Sequence, residues 1–128
     1  MNLEVKTRRV GPETAVVALV GEADVFTVPP AKAAMMDLLG EGVKHLIVDL
    51  SGTEYLDSTA LGALVGILRR VLPEGGSVQL VNPRPRMRRL FEITRLDQVF
   101  PIHDGEAAAL AAIERGATGA AHESSHDV

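Results

Sequence analysis

Asp57-Ser58-Thr59 sets a carboxylate and two hydroxyls side by side, immediately ahead of an apolar run with helical spacing. Serine is a residue type that accepts a hydrogen bond from the free N–H groups of a helix start, and Asp57 adds the negative charge such a start favours. Ser58 is therefore expected at or beside an N-cap. A hydroxyl at that place can receive a phosphate, which adds about −1.5 to −2 charge at neutral pH and strong acceptor oxygens. A nucleophilic serine needs a positioned base, and the sequence nominates no His to accompany Ser58. Neither a Gly-x-x-x-x-Gly-Lys-Ser/Thr phosphate loop nor a Gly-x-Ser-x-Gly elbow occurs. The chain is expected to be no enzyme itself; a hydroxyl that reacts only when a separate kinase brings base and ATP avoids this objection. Thr59 is the competing acceptor.

Other groups with chemical potential are weaker. Glu22, Asp24, Asp49 and Asp57 invite comparison with a receiver domain phosphorylated on aspartate, but that arrangement needs a late-strand Lys, and residues 77–81 and 99–102 contain none. Capping and solvation are the plain roles of these carboxylates. His122 and His126 stand four apart, as metal ligands on a helix would, yet no third ligand is placed beside them. His45 and His103 flank strands and are expected at the surface or an edge. No metal and no cofactor is expected.

The elements that position Ser58 are legible around it. His45 to Leu50 is an aliphatic run of the length of a central strand, followed by a connection over Ser51 to Leu56. From Thr59 to about Val71, Leu61, Leu64, Val65, Leu68 and Leu72 recur at helical spacing and form one apolar face. Thr59, Gly62 and Gly66 make a strip of small residues, although each interior Gly costs a helix about 1 kcal/mol relative to Ala. Either the domain packs tightly there or the strip is a docking surface for another protein. Tyr55, just ahead of the motif, is likewise either a core ring or a surface anchor.

Upstream, Leu3 to Arg9 and Thr14 to Val20 are strands joined by a Gly11-Pro12 turn, an antiparallel hairpin. Pro29-Pro30 opens a helix to about Leu39, with Ala33, Met36 and Leu38 or Leu39 on one face, ended by Gly40 and Gly42. Downstream, Ser77 to Val81 is a strand, and Asn82, Pro83 and Pro85 start a helix through Phe91. Val99 to Ile102 reads as a short edge strand, since Pro101 cannot donate to a central ladder. Asp104 is expected to cap a last helix, Gly105 to about Arg115. Strands alternating with helices after residue 44 imply parallel pairing through right-handed crossovers. Residues 116–128 lack an apolar period and are expected to be a disordered tail.

These residues together resemble the STAS domain family, in particular the anti-sigma factor antagonists. The resemblance is carried by a hydrophobic strand, a short loop and Asp57-Ser58-Thr59-Ala60-Leu61-Gly62; by Gly21-Glu22-Ala23-Asp24 after the second strand; and by Arg89-Leu90-Phe91-Glu92-Ile93. It covers about residues 3 to 115. Two positions depart from the family pattern. Ala60 replaces a usual Gly and is expected to put a methyl group at the edge of the contact surface. Arg95 replaces a Gly that ends the third helix, where a left-handed stop does not suit a side chain.

The resemblance implies an α/β fold with a small mixed sheet (N-terminal antiparallel hairpin, then largely parallel strands) and about four helices, as one STAS domain over residues 1–115. It implies an anti-sigma factor antagonist: the unphosphorylated form binds an anti-sigma factor that is also a serine kinase, releasing its sigma factor. Phosphorylation on Ser58 abolishes binding, and a serine phosphatase restores it. Glu22, Asp24, Tyr55, Asp57, Ser58, Thr59, Gly62 and Gly66 are then the expected contact residues. The alternative is a phosphorylation-independent structural or regulatory subunit, in a lipid transporter or a stress-sensing complex.

Composition narrows the classes further. The 128 residues suit one domain, and 46% hydrophobic content suits a folded one. A formal charge of −4 repels nucleic acid and anionic membranes as a whole. Arg84, Arg86, Arg88 and Arg89 form a local basic run with no interleaved aromatics for base stacking, so a solvated face, or contact with an acidic partner, is expected rather than nucleic-acid binding. There is no Cys, and aromatics are 3%, which disfavours stacking pockets for flat ligands. The start MNLEVKTRRV lacks an apolar signal core, and no run reaches the roughly 20 apolar residues of a membrane span. A cytoplasmic location is expected.

Overall fold

Leu46, Ile47 and Val48 are each 0% exposed, as are Val78 and Leu80, a pattern that only strands covered on both faces produce. In the computed structural model, which describes residues 2–116, they occupy the central parallel strands of a six-stranded sheet. β1 (Leu3–Arg9) and β2 (Thr14–Ala23) form the antiparallel hairpin. β3 (His45–Asp49), β5 (Ser77–Val81) and β6 (Ile102–His103) follow in parallel, giving the order β1-β2-β3-β5-β6. The remaining strand, β4 (Thr53–Leu56), pairs with β2. Four α-helices complete the fold: α1 (Val28–Gly40), α2 (Ser58–Val71), α3 (Pro85–Ile93) and α4 (Glu106–Glu114). The mixed α/β architecture is the expected one. The supposed tail, residues 116–128, with its His122 and His126, lies outside the described residues apart from Gly116.

Alternation along the strands builds two cores. One face carries Ala15, Val17, Leu19, Leu46, Val48, Leu50, Val78 and Leu80 against α1, α2 and α3. The other carries Val16, Ile47 and Val81 against Ala109, Leu110 and Ile113 of α4. Phe91 and Phe100 meet edge to face, with centroids 6.4 Å apart, and close the first core beside α3.

Several expectations need correction. The connection over Ser51–Leu56 contains strand β4. β3 pairs with β2 only as far as Ala18, so the end of β2 remains open, and Thr53, Tyr55 and Leu56 pair with Gly21, Glu22 and Ala23. Thr53 is buried, and its hydroxyl donates to the Leu19 carbonyl at 2.6 Å. The edge strand begins at Ile102, not Val99: Leu96–Gln98 is a 3-10 turn, Phe100 turns into the core, and Pro101 contributes its carbonyl to Leu80 N. Arg95 adopts the left-handed conformation despite its side chain, at φ 63°. Helix α3 thus ends in a left-handed stop even without a glycine there. The cap residue of α4 is Gly105, and Asp104 instead pairs with Arg88 at 3.5 Å.

Two helical phases also differ. On α1 the buried residues are Val28, Ala31 and Met35, with Ala33 exposed and Met36, Leu38 and Leu39 partly buried. On α2 they are Ala60, Ala63, Leu64, Ile67, Leu68 and Val71, while Leu61 and Val65 are half-buried and Leu72 lies outside. Small Ala side chains, which carry little weight in a hydrophobic pattern, rotate the buried face.

Candidate functional site

β4 delivers the chain directly to the start of α2. After Leu56 pairs with Ala23, the Asp57 backbone stays extended (φ −95°, ψ −177°) and its N–H donates to the Ala23 carbonyl at 3.0 Å. Asp57 is the N-cap: its Oδ1 accepts from Ala60 N at 3.0 Å, and its carbonyl accepts from Leu61 N. Ser58 is thereby the first helical residue and Thr59 the second, both exposed. The positive end of the helix dipole lies behind the Ser58 hydroxyl, with Arg69 and Arg70 complementing the opposite end.

The second wall is the loop between β2 and α1. Asp24 organises it from inside. Its Oδ1 accepts from Phe26 N at 2.9 Å, from Thr27 N at 3.0 Å and from the Thr27 hydroxyl at 3.2 Å. The Thr27 N–H holds the Asp24 carboxyl below the usual carboxylate range; burial opposes it, and the Phe26 N–H and Thr27 hydroxyl add to it. Asp24 is only 5% exposed, so its expected part as a surface contact passes to the loop it shapes. That loop raises Val25 (53% exposed) and Phe26 (84% exposed) into solvent. Phe26 is the site residue that sequence reasoning missed; its signal was one aromatic inside a polar turn, Asp24-Val25-Phe26-Thr27.

Around Ser58 the remaining expected residues separate clearly. Tyr55 is 44% exposed on β4 and is an outward ring, not a core one. Glu22 pairs with it in register and is half-buried. Gly62 is exposed, and a Cβ there would meet nothing within 4 Å; at Gly66 it would meet only the Lys32 Nζ at 3.8 Å. Tight packing inside the domain therefore does not account for either glycine. Ala60 points inward at 4% exposure, among Leu3, Leu19, Leu56 and Leu64, so its methyl group lies in the core and not at the contact surface.

The STAS domain profile matches residues 5–109, from within β1 to the first turn of α4. The chain belongs to the STAS domain family. An anti-sigma-B factor antagonist of Staphylococcus aureus is 33% identical over 85 residues, 66% of this chain and 79% of the relative. Among solved structures, an anti-sigma factor antagonist from Mycobacterium paratuberculosis superposes with a TM-score of 0.79 at 27% identity, covering 88% of this chain and 95% of the other. The Bacillus cell fate determinant SpoIIAA, solved in its phosphorylated form, superposes with a TM-score of 0.70 at 25% identity, covering 86% and 99%.

Beyond this surface the chemistry is sparse. Among the described residues no group of His, Asp and Glu is arranged to hold a metal ion. The basic run is divided by α3: Met87 is buried, Arg88 pairs with Asp104, and Arg84 Nε donates to the Ser51 carbonyl at 3.0 Å. Arg84 and Arg86 with Glu54 line an open groove of about 440 Å³. No helix is long and apolar enough to cross a membrane among the described residues.

Proposed function

We propose that this STAS domain, over residues 1–115 and in the cytoplasm, is an anti-sigma factor antagonist switched by phosphorylation of Ser58. The observation that carries this reading is an exposed hydroxyl on the first residue of α2, bordered by the Phe26 loop, Tyr55 and the bare helix surface at Gly62. The names of its relatives support it. In the unphosphorylated form, the loop over Asp24 and the start of α2 dock onto an anti-sigma factor that is also a serine kinase, and the sigma factor is released. The glycines let the partner approach the α2 backbone closely.

Phosphorylation adds about −1.5 to −2 charge at Ser58. Within the domain the helix N-terminus favours that charge while Asp57 opposes it, so the fold is left nearly unchanged. At an interface fitted to a neutral hydroxyl and apolar rings, the hydrated dianion has to be stripped of water and binding is lost. A separate serine phosphatase restores the docking form.

The test is intact mass with site mapping on protein isolated from its native cells, with and without phosphatase inhibitors, followed by binding of variants to the co-purifying kinase. Phosphate on Ser58, tight binding by Ser58→Ala and weak binding by Ser58→Asp are the expected results. Equal affinities of the two variants for the partner remove the switch and favour the phosphorylation-independent subunit. Phosphate on Thr59 alone moves the acceptor by one residue.

A further inference from the structure

On the sheet face covered by α4, four polar side chains cross three strands in an unbroken line. His45 Nδ1 lies 2.8 Å from Ser77 Oγ, Gln79 Nε2 donates to Ser77 Oγ at 3.0 Å, and His103 Nε2 lies 2.7 Å from Gln79 Oε1. Ser77 and Gln79 are 0% exposed, whereas the two imidazoles at the ends are half-buried. These histidines were expected at the surface or an edge; the strand register, His45 opposite Ser77 and His103 opposite Val81, joins them.

With Gln79 Oε1 turned toward His103, donor and acceptor capacities set the direction of this line. An amide oxygen only accepts, so His103 carries its proton on Nε2. The Gln79 amide N–H occupies one lone pair of Ser77; with Gln79 Oε1 turned away, the buried Ser77 hydroxyl hydrogen finds its partner on the line in His45 Nδ1, which puts the His45 proton on Nε2. The reverse direction satisfies the same three contacts. In it His45 Nδ1–H donates to Ser77, the Ser77 hydroxyl donates to Gln79 Oε1, and the Gln79 N–H donates to a bare His103 Nε2. A half-turn of the Gln79 amide, nearly isosteric, connects the two.

We propose that this line is a proton-responsive device with two polarities, in which protonation of His45 reverses all three hydrogen bonds and moves the His103 proton from Nε2 to Nδ1. The protons balance: one enters from solvent at His45 Nδ1, Ser77 and Gln79 keep their own, and His103 releases one at Nε2 and gains one at Nδ1. Charging both rings together is disfavoured. A doubly protonated His103 takes Gln79 Oε1 as its acceptor, while a charged His45 displaces the buried Ser77 hydroxyl hydrogen, whose other acceptor on the line is the same oxygen turned toward Ser77.

The surroundings place the transition below the ordinary imidazole range, because burial is the largest influence on each ring. At His45, Glu13 in the β1–β2 turn favours the proton and Lys44 opposes it, and these two pair with each other at 3.6 Å. At His103, Arg115 beyond α4 opposes the proton and Asp104 favours it, with Asp104 shared by Arg88 of α3. On α4 itself Ala109, Leu110 and Ile113 face the sheet as apolar groups, and Glu106 is committed to Arg8.

Long-range ¹H–¹⁵N spectra of the full chain, titrated from about pH 8 to about pH 5, read tautomer and charge of each ring directly. The expected result is Nε2–H on both rings at the high end, then a switch of neutral His103 to Nδ1–H at the same midpoint as His45 becomes charged. In Gln79→Met the two rings are expected to titrate independently. If that variant fails to fold, His45→Gln serves instead, with His103 expected to keep Nε2–H until its own titration. A wild-type His103 that keeps Nε2–H while His45 is charged, or is charged before it, overturns the proposal whatever the partner of Ser58 proves to be.

Discussion

The N–H of Asp57 donates to the carbonyl of Ala23 at 3.0 Å, and this one bond makes two distant segments a single surface. Ala23 is the last residue of β2 and leads into the Asp24 loop; Asp57 is the cap of α2. Because β4 pairs in parallel with the end of β2, the Asp24 loop and the start of α2 leave the sheet side by side. The short strand β4, with Glu54 and Tyr55 exposed, thus runs straight into the cap that places Ser58.

The cap predicts a separation of roles at Asp57. Asp57→Ala removes the acceptor of Ala60 N and is expected to cost about 1 kcal/mol of stability, within a range of about 0.5–2. Asp57→Asn keeps an acceptor and removes the charge beside Ser58, so its stability is expected to stay near wild type. Urea unfolding of the two variants checks both statements; equal losses would mean the carboxylate charge, rather than the cap bond, supports α2.

Phe26 is held by its backbone, through Asp24, while its ring lies 84% in solvent. A ring so placed adds little to the core, and the backbone that carries it is already fixed, which lowers the cost of docking. Phe26→Ala is expected to change stability by no more than about 0.5 kcal/mol. Partner affinity is expected to fall roughly tenfold or more, as for an aromatic at the centre of an interface. Calorimetric titration against the proposed anti-sigma factor partner, alongside a thermal melt, separates these effects.

What was legible in the sequence follows from how local each signal is. β3 and α2 declare themselves through strong aliphatic patterns, and Asp57-Ser58 through capping chemistry, all within a few residues. β4 has four residues with a charge among them, and it is a strand only because β2 outruns β3. The buried face of α2 is set by Ala60 and Ala63, residues too small to dominate a periodic pattern. Asp24 read as a surface acid and became the buried organiser of its turn, because the N–H groups it satisfies belong to its own loop. The line from His45 to His103 joins positions 58 residues apart through strand register, which no local pattern contains.

The open space above α2 predicts opposite outcomes for stability and for binding. Gly62 lies in an exposed helix interior with nothing within 4 Å of a Cβ, so Gly62→Ala is expected to stabilise by about 0.5–1 kcal/mol. Gly66→Leu has only the end of Lys32 to displace and is expected to leave the thermal transition in place. If a partner rests on this strip, Gly66→Leu abolishes binding while folding is intact. Loss of both together would return the strip to a structural role.

Acid is expected to act on stability in two windows, with signs set by the protonation each group resists. His45 and His103 are held below their ordinary value of 6.5, mainly by burial. Above that value both rings are neutral, folded or unfolded, and contribute their full stability. As pH falls through it, the unfolded chain binds protons that the folded chain does not, so stability declines until the folded values are reached and then levels off. Asp24 is held below 3.8, chiefly by the Thr27 N–H, and its contribution is present above that value and lost as pH falls through the lower folded one. The Tm of the wild type is therefore expected to drop first just below neutrality and again in strong acid. His45→Gln should flatten the first decline and leave the second, whereas Asp24→Asn should flatten the second and leave the first. A first decline that survives removal of both histidines would assign it to other groups.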